Sequence, residues 1–569
     1  MEAKNLRIIY LIAVPSASHL NPTLCFVNSL IKKLDVMNID RIVIYSESQF
    51  YDRILNLPDN IPMNNGHSRN NSNEAISPAS TDSNIRNYIE CRNLGLSENT
   101  GTSNLLKLIM DFDTKANSIF RIFKCFEDSF KVACRNIMKN LVQDIHRDKP
   151  ELIIYDQAIF FLKLALNYYD KLYKEEIYRP MTICYVTTFA WIRGINPKWN
   201  ELHLLGVTSS VKNLMITGYD FFKYIFVYYK LLLVDLRFSL KEALFVCQTP
   251  LAKNFLLNPD LNMVFLIPDI QPHIEKFLTA KYSHIKFVGS AIDENVRFQM
   301  KLNENLNNSV DIALKSISNQ EQNAYLNENE KCLKIIEDYL MKQTCSVDYF
   351  KNSMNKIDLK YLRNGSNGSN TVMSTKSSPI TYYHKPIIYV SMGNTFIYEN
   401  GYLFDVIIET LKEFSLNYAI IVSIGNEKLY LQYNEKYKLS NILLMPYVPQ
   451  VEVLKRTHLF LTHAGMNSIS EAVHYGTPIV CIPLSGDQPF IAWHVTKELN
   501  MGIRLVSNEN LTSEKLKSAM NEVLTDALYR QRATELSEIS KRYPGHLNAS
   551  ELIVEYMLKK KKDKNHTEL

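Results

Sequence analysis

Short apolar runs recur along the chain, each long enough for a buried parallel strand and too short for a buried helix. Arg7 to Val14, Arg41 to Ser46, Pro150 to Asp156, Thr182 to Thr188, Ala243 to Cys247, Met263 to Pro268 and Ile285 to Val288 form a first set. A second set opens at Lys385 and continues with Ala419 to Ser423, Asn441 to Met445, Leu459 to Thr462, Pro478 to Leu484 and Ile503 to Val506. Helix-compatible stretches separate them. After the first strand Asn21 can cap, Pro22 fits the first helical position, and Leu24, Val27, Leu30, Ile31 and Leu34 fall on one face. Ile469 to Tyr475 reads as a helix closed by Gly476 and Pro478, and helices are expected over Ser513 to Arg542 and Ala549 to Lys559. Strands alternating with helices predict α/β architecture with doubly wound parallel sheets.

Two polar stretches break the rhythm. Residues 62–104 and Asp293 to Thr381 are rich in Asn and Ser; the first reads as a disordered or loop insertion and the second as a surface insertion between domains, part of it helix-compatible, notably Lys331 to Met341. The expected divisions are an N-terminal domain over 1–292, an insertion or linker over 293–384, a C-terminal domain over 385–550, and a helix end with basic tail over 551–569. At 569 residues more than one core is expected. A formal charge of +5 is small for this length, and no aromatic–basic motif points to a nucleic-acid partner. The nine cysteines are dispersed with no CxxC pair, as in a reducing, cytoplasmic setting, and suggest no zinc site. Ile8 to Ala17 could pass for the apolar core of a signal peptide but is better read as a buried first strand over Arg7 to Val14, and the final lysine-rich tail as a solvated charge run. No run reaches the roughly 20 apolar residues of a membrane span. The aromatic stretch Phe221 to Leu236 could line a greasy pocket or make peripheral contact with a bilayer.

The densest chemistry lies between Tyr447 and Val495. The turn His463-Ala464-Gly465-Met466-Asn467-Ser468 carries a strand into a helix, whose start presents unpaired N–H groups and a positive dipole end to a phosphate. Asp487 and Gln488 follow the next strand on the same sheet edge, placed to bond sugar hydroxyls. The implied ligand is a nucleotide diphosphate carrying a sugar.

This stretch resembles the signature of family 1 UDP-glycosyltransferases, and its HAG and GDQP wording is most similar to the macrolide-glycosyltransferase branch. The resemblance implies the GT-B fold: two Rossmann-like domains facing across a cleft. It sets Tyr447 against the uracil, with Val448 and Gln450 in the same site. It assigns His463, Gly465, Asn467 and Ser468 to the diphosphate, Glu471 to the ribose, and Asp487 with Gln488 to the donor sugar. Ser391, Gly393 and Thr395 resemble a further phosphate-facing segment of the family. Plant members have Trp where Tyr447 and Met466 stand. Pro15 to Pro22 resembles the family's GHxNP segment with Ser18 in place of glycine, which makes His19 the general base and Asp156 the group that orients it. Phe287 to Ser290 resembles the interdomain hinge. Ser468 and Glu471 also fit a helix capping box, and Asp156 a helix cap.

The expectation is therefore an inverting enzyme that moves a sugar from UDP to a hydroxyl of a small, lipophilic acceptor. The UDP-sugar is a co-substrate, and with no DxD-like pair near the motifs, no metal or cofactor is expected. A sterol or lipid glycosyltransferase and a non-catalytic UDP-sugar binder are the alternatives.

Overall fold

A computed structural model of the chain describes residues 6–14, 17–60, 88–93, 138–157, 159, 162–176, 178–190, 260–299, 328–346, 382–393, 401–484, 487–506 and 511–567. The expected strand at Ala243 to Cys247, the aromatic stretch and much of both polar insertions lie outside these residues.

The N-terminal elements are β1 (Ile8–Ile12), α1 (Ala17–Ile31), β2 (Arg41–Ser46), β3 (Ile89–Asn93), α2 (Met138–Asp148), β4 (Leu152–Asp156), α3 (Leu162–Leu172), β5 (Met181–Val186), β6 (Asn262–Val264) and β7 (Ile285–Phe287). Their strands form one parallel sheet in the order β3-β2-β1-β4-β5-β6-β7. Helices cover both faces, which is why the central strands are apolar at nearly every position instead of alternating. β1 (IIYLI) is buried throughout, and each such side chain contributes about 1.5–3 kcal/mol on leaving water.

Two expectations change here. α1 begins at Ala17, not beyond Asn21, so His19 lies in its first turn and Pro22 inside the helix. Tertiary contacts hold that turn: Leu20 is fully buried and His19 bonds Asp156. Within the first polar insertion, Ile89 to Asn93 is an edge strand paired with β2. Its polar side chains are employed: Arg92 donates to Glu90 at 2.6 Å and to the Tyr10 hydroxyl at 3.0 Å, and Arg41 to Glu90 at 2.6 Å.

Next come α4 (Glu294–Gln299), α5 (Glu328–Lys342) and an antiparallel pair, β8 (Thr344–Ser346) with β9 (Tyr382–His384). The second polar stretch is thus more than a surface insertion. α5 buries Cys332, Ile335, Ile336 and Leu340 in the core of the C-terminal domain. Its Tyr339 hydroxyl donates to the Asn441 carbonyl at 2.9 Å and accepts from the Ile420 amide at 2.9 Å.

The C-terminal elements are β10 (Ile387–Ser391), α6 (Gly401–Phe414), β11 (Ala419–Ser423), α7 (Glu427–Tyr437), β12 (Ile442–Met445), β13 (Thr457–Thr462), α8 (Met466–Tyr475), β14 (Ile479–Cys481), α9 (Gln488–Trp493), β15 (Gly502–Arg504), α10 (Ser513–Thr525), α11 (Ala527–Lys541) and α12 (Gly545–Thr567). The strand order, β12-β11-β10-β13-β14-β15, repeats the scheme of the first sheet. The helical stretch expected over Ser513 to Arg542 breaks at Asp526, whose side chain accepts from the Leu528 amide at 2.9 Å and caps α11.

α12 leaves the C-terminal domain and packs on α1: Ala549, Ile553 and Met557 are fully buried among Leu24, Val27 and Leu30. The expected solvated tail is helical to Thr567, and Lys561 donates to the Met37 carbonyl at 3.0 Å. The chain therefore crosses between the sheets twice, near Gly289 and near Gly545. The two crossings touch through backbone. A Cβ at Gly545 would lie 2.0 Å from the Gly289 carbonyl oxygen, and one at Gly289, where φ is +96°, 2.1 Å from that of Tyr543.

Candidate functional site

In each sheet the order reverses beside the first strand, and the carboxyl ends of the two strands flanking that point open a crevice. In the N-terminal sheet those strands are β1 and β4, in register with Ile12 beside Tyr155. The segments that follow carry His19 and Asp156 to the same edge. His19 Nδ1 lies 2.7 Å from Asp156 Oδ2; the carboxylate is fully buried, while the imidazole is 28% exposed. Asp156 thus engages His19, as the resemblance implies. With Nδ1–H donated to Asp156, Nε2 is the nitrogen able to take a proton. Burial pulls the His19 pKa down, but the charge and hydrogen bond of Asp156, with the charge of Asp487, outweigh it and leave the pKa above the ordinary histidine value.

In the C-terminal sheet the flanking strands are β10 and β13, with Ser391 beside Thr462. The next residues, Met392-Gly393 and His463 to Gly465, form two adjacent loops with the His463 ring between them. Cβ atoms at Gly393 and Gly465 would lie 2.8 and 2.5 Å from His463 Nε2, so both positions require glycine for this ring placement. Ala464 adopts φ +63°, an uncommon conformation for a residue with a side chain, and helps turn the loop. Burial holds the His463 pKa down to about 4. The imidazole is therefore neutral near pH 7 in the free protein.

α8 begins at Met466 after Gly465, in extended conformation, and ends at Gly476 in the left-handed region. Asn467 and Ser468 are its second and third residues, so Ser468 lies inside the helix and forms no capping box with Glu471. Gln450 Nε2 instead donates to Ser468 Oγ at 3.2 Å and to Glu471 Oε2 at 2.6 Å, and Gln450 Oε1 accepts from the Tyr389 hydroxyl at 3.2 Å. Glu471 is nearly fully buried, and its Oε1 receives Arg297 Nη2 at 2.6 Å. Beside this network Tyr447 and Val448 precede Gln450; burial raises the Tyr447 phenol to about 12. Thr395 lies outside the described residues.

The two edges meet. Thr188, just beyond β5, donates to Asp487 Oδ2 at 2.8 Å, and its neighbour Thr187 places Oγ1 3.3 Å from His19 Nδ1. Phe189 then packs edge-on against Phe490 of α9. Burial raises the Asp487 pKa, against the Thr188 bond and the charge of His19, which lower it. Gln488 is buried and accepts the Leu484 amide through Oε1 at 2.9 Å, which fastens the loop that carries Asp487. Lys455 and Tyr475 both bond Glu294 of α4, at 2.8 and 2.9 Å.

Sequence reasoning missed three contributors. Thr187 and Thr188 follow the carboxyl end of β5, one strand beyond the switch point, and carry no motif that singles them out. Arg297 had no local signal, because its partner lies 174 positions away.

Comparison with known proteins agrees with this geometry. Residues 430–566 match the model of the family described as UDP-glucoronosyl and UDP-glucosyl transferase. The Bacillus subtilis protein named uncharacterized UDP-glucosyltransferase YojK is 34% identical over 179 residues, 32% of this chain and 42% of its own. The rat 2-hydroxyacylsphingosine 1-beta-galactosyltransferase is 38% identical over 123 residues, 21% of this chain and 22% of its own. This chain thus matches less than half the length of either relative. Among solved structures, the glycotransferase of kitacinnamycin superposes with a TM-score of 0.55 at 14% identity, covering 97% of this chain and 99% of its own. CalG4, the calicheamicin glycosyltransferase, gives 0.54 at 15% identity with the same coverage. Those likenesses show a shared fold, the GT-B arrangement of two parallel sheets. The chain thus shares the GT-B fold, and its residues 430–566 are similar to the UDP-glucoronosyl and UDP-glucosyl transferase family.

Proposed function

We propose that this protein transfers a sugar from a UDP-sugar to a hydroxyl of a small, lipophilic acceptor in one inverting displacement. The observation that carries the reading is the Thr188–Asp487 bond at 2.8 Å, which joins the edge holding His19 and Asp156 to the edge holding His463 and Glu471. A base and a nucleotide site meet there across one cleft.

In this reading the acceptor O–H gives its proton to His19 Nε2 while the oxygen attacks the anomeric carbon. The bond from that carbon to the diphosphate breaks, and UDP leaves with the electron pair. His463 and the N–H groups at the start of α8 stabilise the departing charge, with Ser391 and Gly393 beside them. Tyr447 stacks the uracil, Glu471 accepts from the ribose, and Asp487 with Gln488 holds the sugar. An α-linked donor gives a β-glycoside. No metal or other cofactor is assigned to the step. A reducing, cytoplasmic setting fits nine dispersed cysteines with no CxxC pair.

A lipid acceptor is the second reading, favoured by the likeness to the sphingosine galactosyltransferase. No helix among the described residues is long and apolar enough to cross a membrane. The test is UDP release by purified full-length protein across a panel of UDP-sugars and acceptors, with and without liposomes. Donor-dependent release that requires an acceptor supports transfer, and binding without release in every combination argues for a binding protein.

A further inference from the structure

The carboxylate assigned to the ribose is held by an arginine from outside the nucleotide-binding domain. Arg297 belongs to α4, which follows the last strand of the N-terminal sheet, and its Nη2 reaches Glu471 Oε1 at 2.6 Å. Both side chains are sequestered, 15% and 3% exposed. A buried ion pair of this kind does little for stability, because desolvation offsets its attraction; its clearest effect is to fix a geometry. The other oxygen, Oε2, is fixed by Gln450 at 2.6 Å. Glu471 is thus gripped from both domains, and each of its oxygens keeps a second lone pair for a ligand hydroxyl.

α4 is itself anchored on both sides. Val296 is buried in the N-terminal core, whereas Glu294 bonds Lys455 and Tyr475 of the C-terminal domain. The position of Arg297 therefore follows the relative position of the two domains. We propose that Arg297 is a positioning residue for the donor nucleoside: it orients the Glu471 carboxylate toward the ribose hydroxyls and makes ribose recognition depend on domain apposition. This inference rests on the assignment of the UDP site above.

The test compares UDP with 2′,3′-dideoxyuridine diphosphate by calorimetry on the full-length wild type, Arg297→Met, Arg297→Lys and Glu471→Gln. Wild type should prefer UDP. Arg297→Met should weaken UDP about tenfold, the loss of one hydrogen bond to a charged group. It should leave the dideoxy analogue nearly unchanged, so the preference collapses. Arg297→Lys should restore part of the preference, and adding Arg297→Met to Glu471→Gln should cost little more, because the two act through one contact. The double variant also leaves no unpaired buried charge, so it keeps the test open if Arg297→Met folds poorly.

A general structural role would weaken both nucleotides equally, and that result overturns the inference. Wild type that discriminates while Arg297→Met discriminates just as well overturns it too, yet leaves the UDP site standing. Wild type that binds neither nucleotide, or binds both alike, removes the ribose assignment and the inference together.

Discussion

At the scale of single residues, His19 and His463 show how surroundings divide the work of two like side chains. His19 is raised because a buried aspartate outweighs desolvation, whereas His463 has no such partner and burial lowers it to about 4. The Asp156 charge favours the imidazolium, so Asp156→Asn lowers the His19 pKa. The acid limb of the pH–kcat/KM profile should then move to lower pH, and the plateau should fall no further than in His19→Ala. A limb that stays in place would mean another group titrates. His463, neutral in the free protein, should make UDP-glucose affinity flat between about pH 6 and 8, where the donor's own diphosphate does not titrate. His463→Ala should weaken that affinity by about 0.5–1.5 kcal/mol, the range for an uncharged hydrogen bond. Affinity that falls steadily with rising pH would show that the ring binds as a cation.

At the scale of elements, the strands at the sheet centres were legible because burial on both faces leaves a continuous apolar run. Ala419 to Ser423 and Arg41 to Ser46 match the sequence reading in both bounds. Ile89 to Asn93 was hidden because an edge strand bonded on one side carries polar residues, here Glu90, Arg92 and Asn93, that resemble a loop. α5 sat inside an Asn-rich stretch whose composition masked the apolar face of Cys332, Ile335 and Ile336. The site was legible wherever its residues follow a strand end in a contiguous motif, as from His463 to Ser468. It was illegible wherever the partner comes from the other domain, as with Arg297 and Thr188. The docking of α12 had no signal either, since its lysine-rich end outweighs three apolar positions. Ile553→Ala should destabilise the N-terminal domain by about 2–5 kcal/mol in urea denaturation, the usual cost of such a cavity. A change below about 0.5 kcal/mol would mean that α12 is not docked in solution.

At the scale of the whole molecule, two sheets of like topology present their carboxyl edges to each other, and the chain joins them by two touching crossings. Gly289→Ala forces a Cβ into the Tyr543 carbonyl and should reduce transfer more than UDP affinity, because transfer needs the whole apposed geometry whereas UDP loses only the contact that Arg297 orients. Equal loss of both, measured as kcat/KM against calorimetric Kd, would place the damage in the nucleotide domain. The central claim is that apposition brings a base to the donor's anomeric carbon. It is tested most directly by transfer from one UDP-sugar to a matched pair of acceptors, an alcohol and an acidic thiol, in wild type and His19→Ala. The thiol is already ionised and needs no base. On the alcohol, His19→Ala should lose about 10²–10⁴-fold, while the thiol keeps most of its rate. An equal loss on both acceptors would contradict the account and leave His19 a group that shapes the cleft without taking the proton.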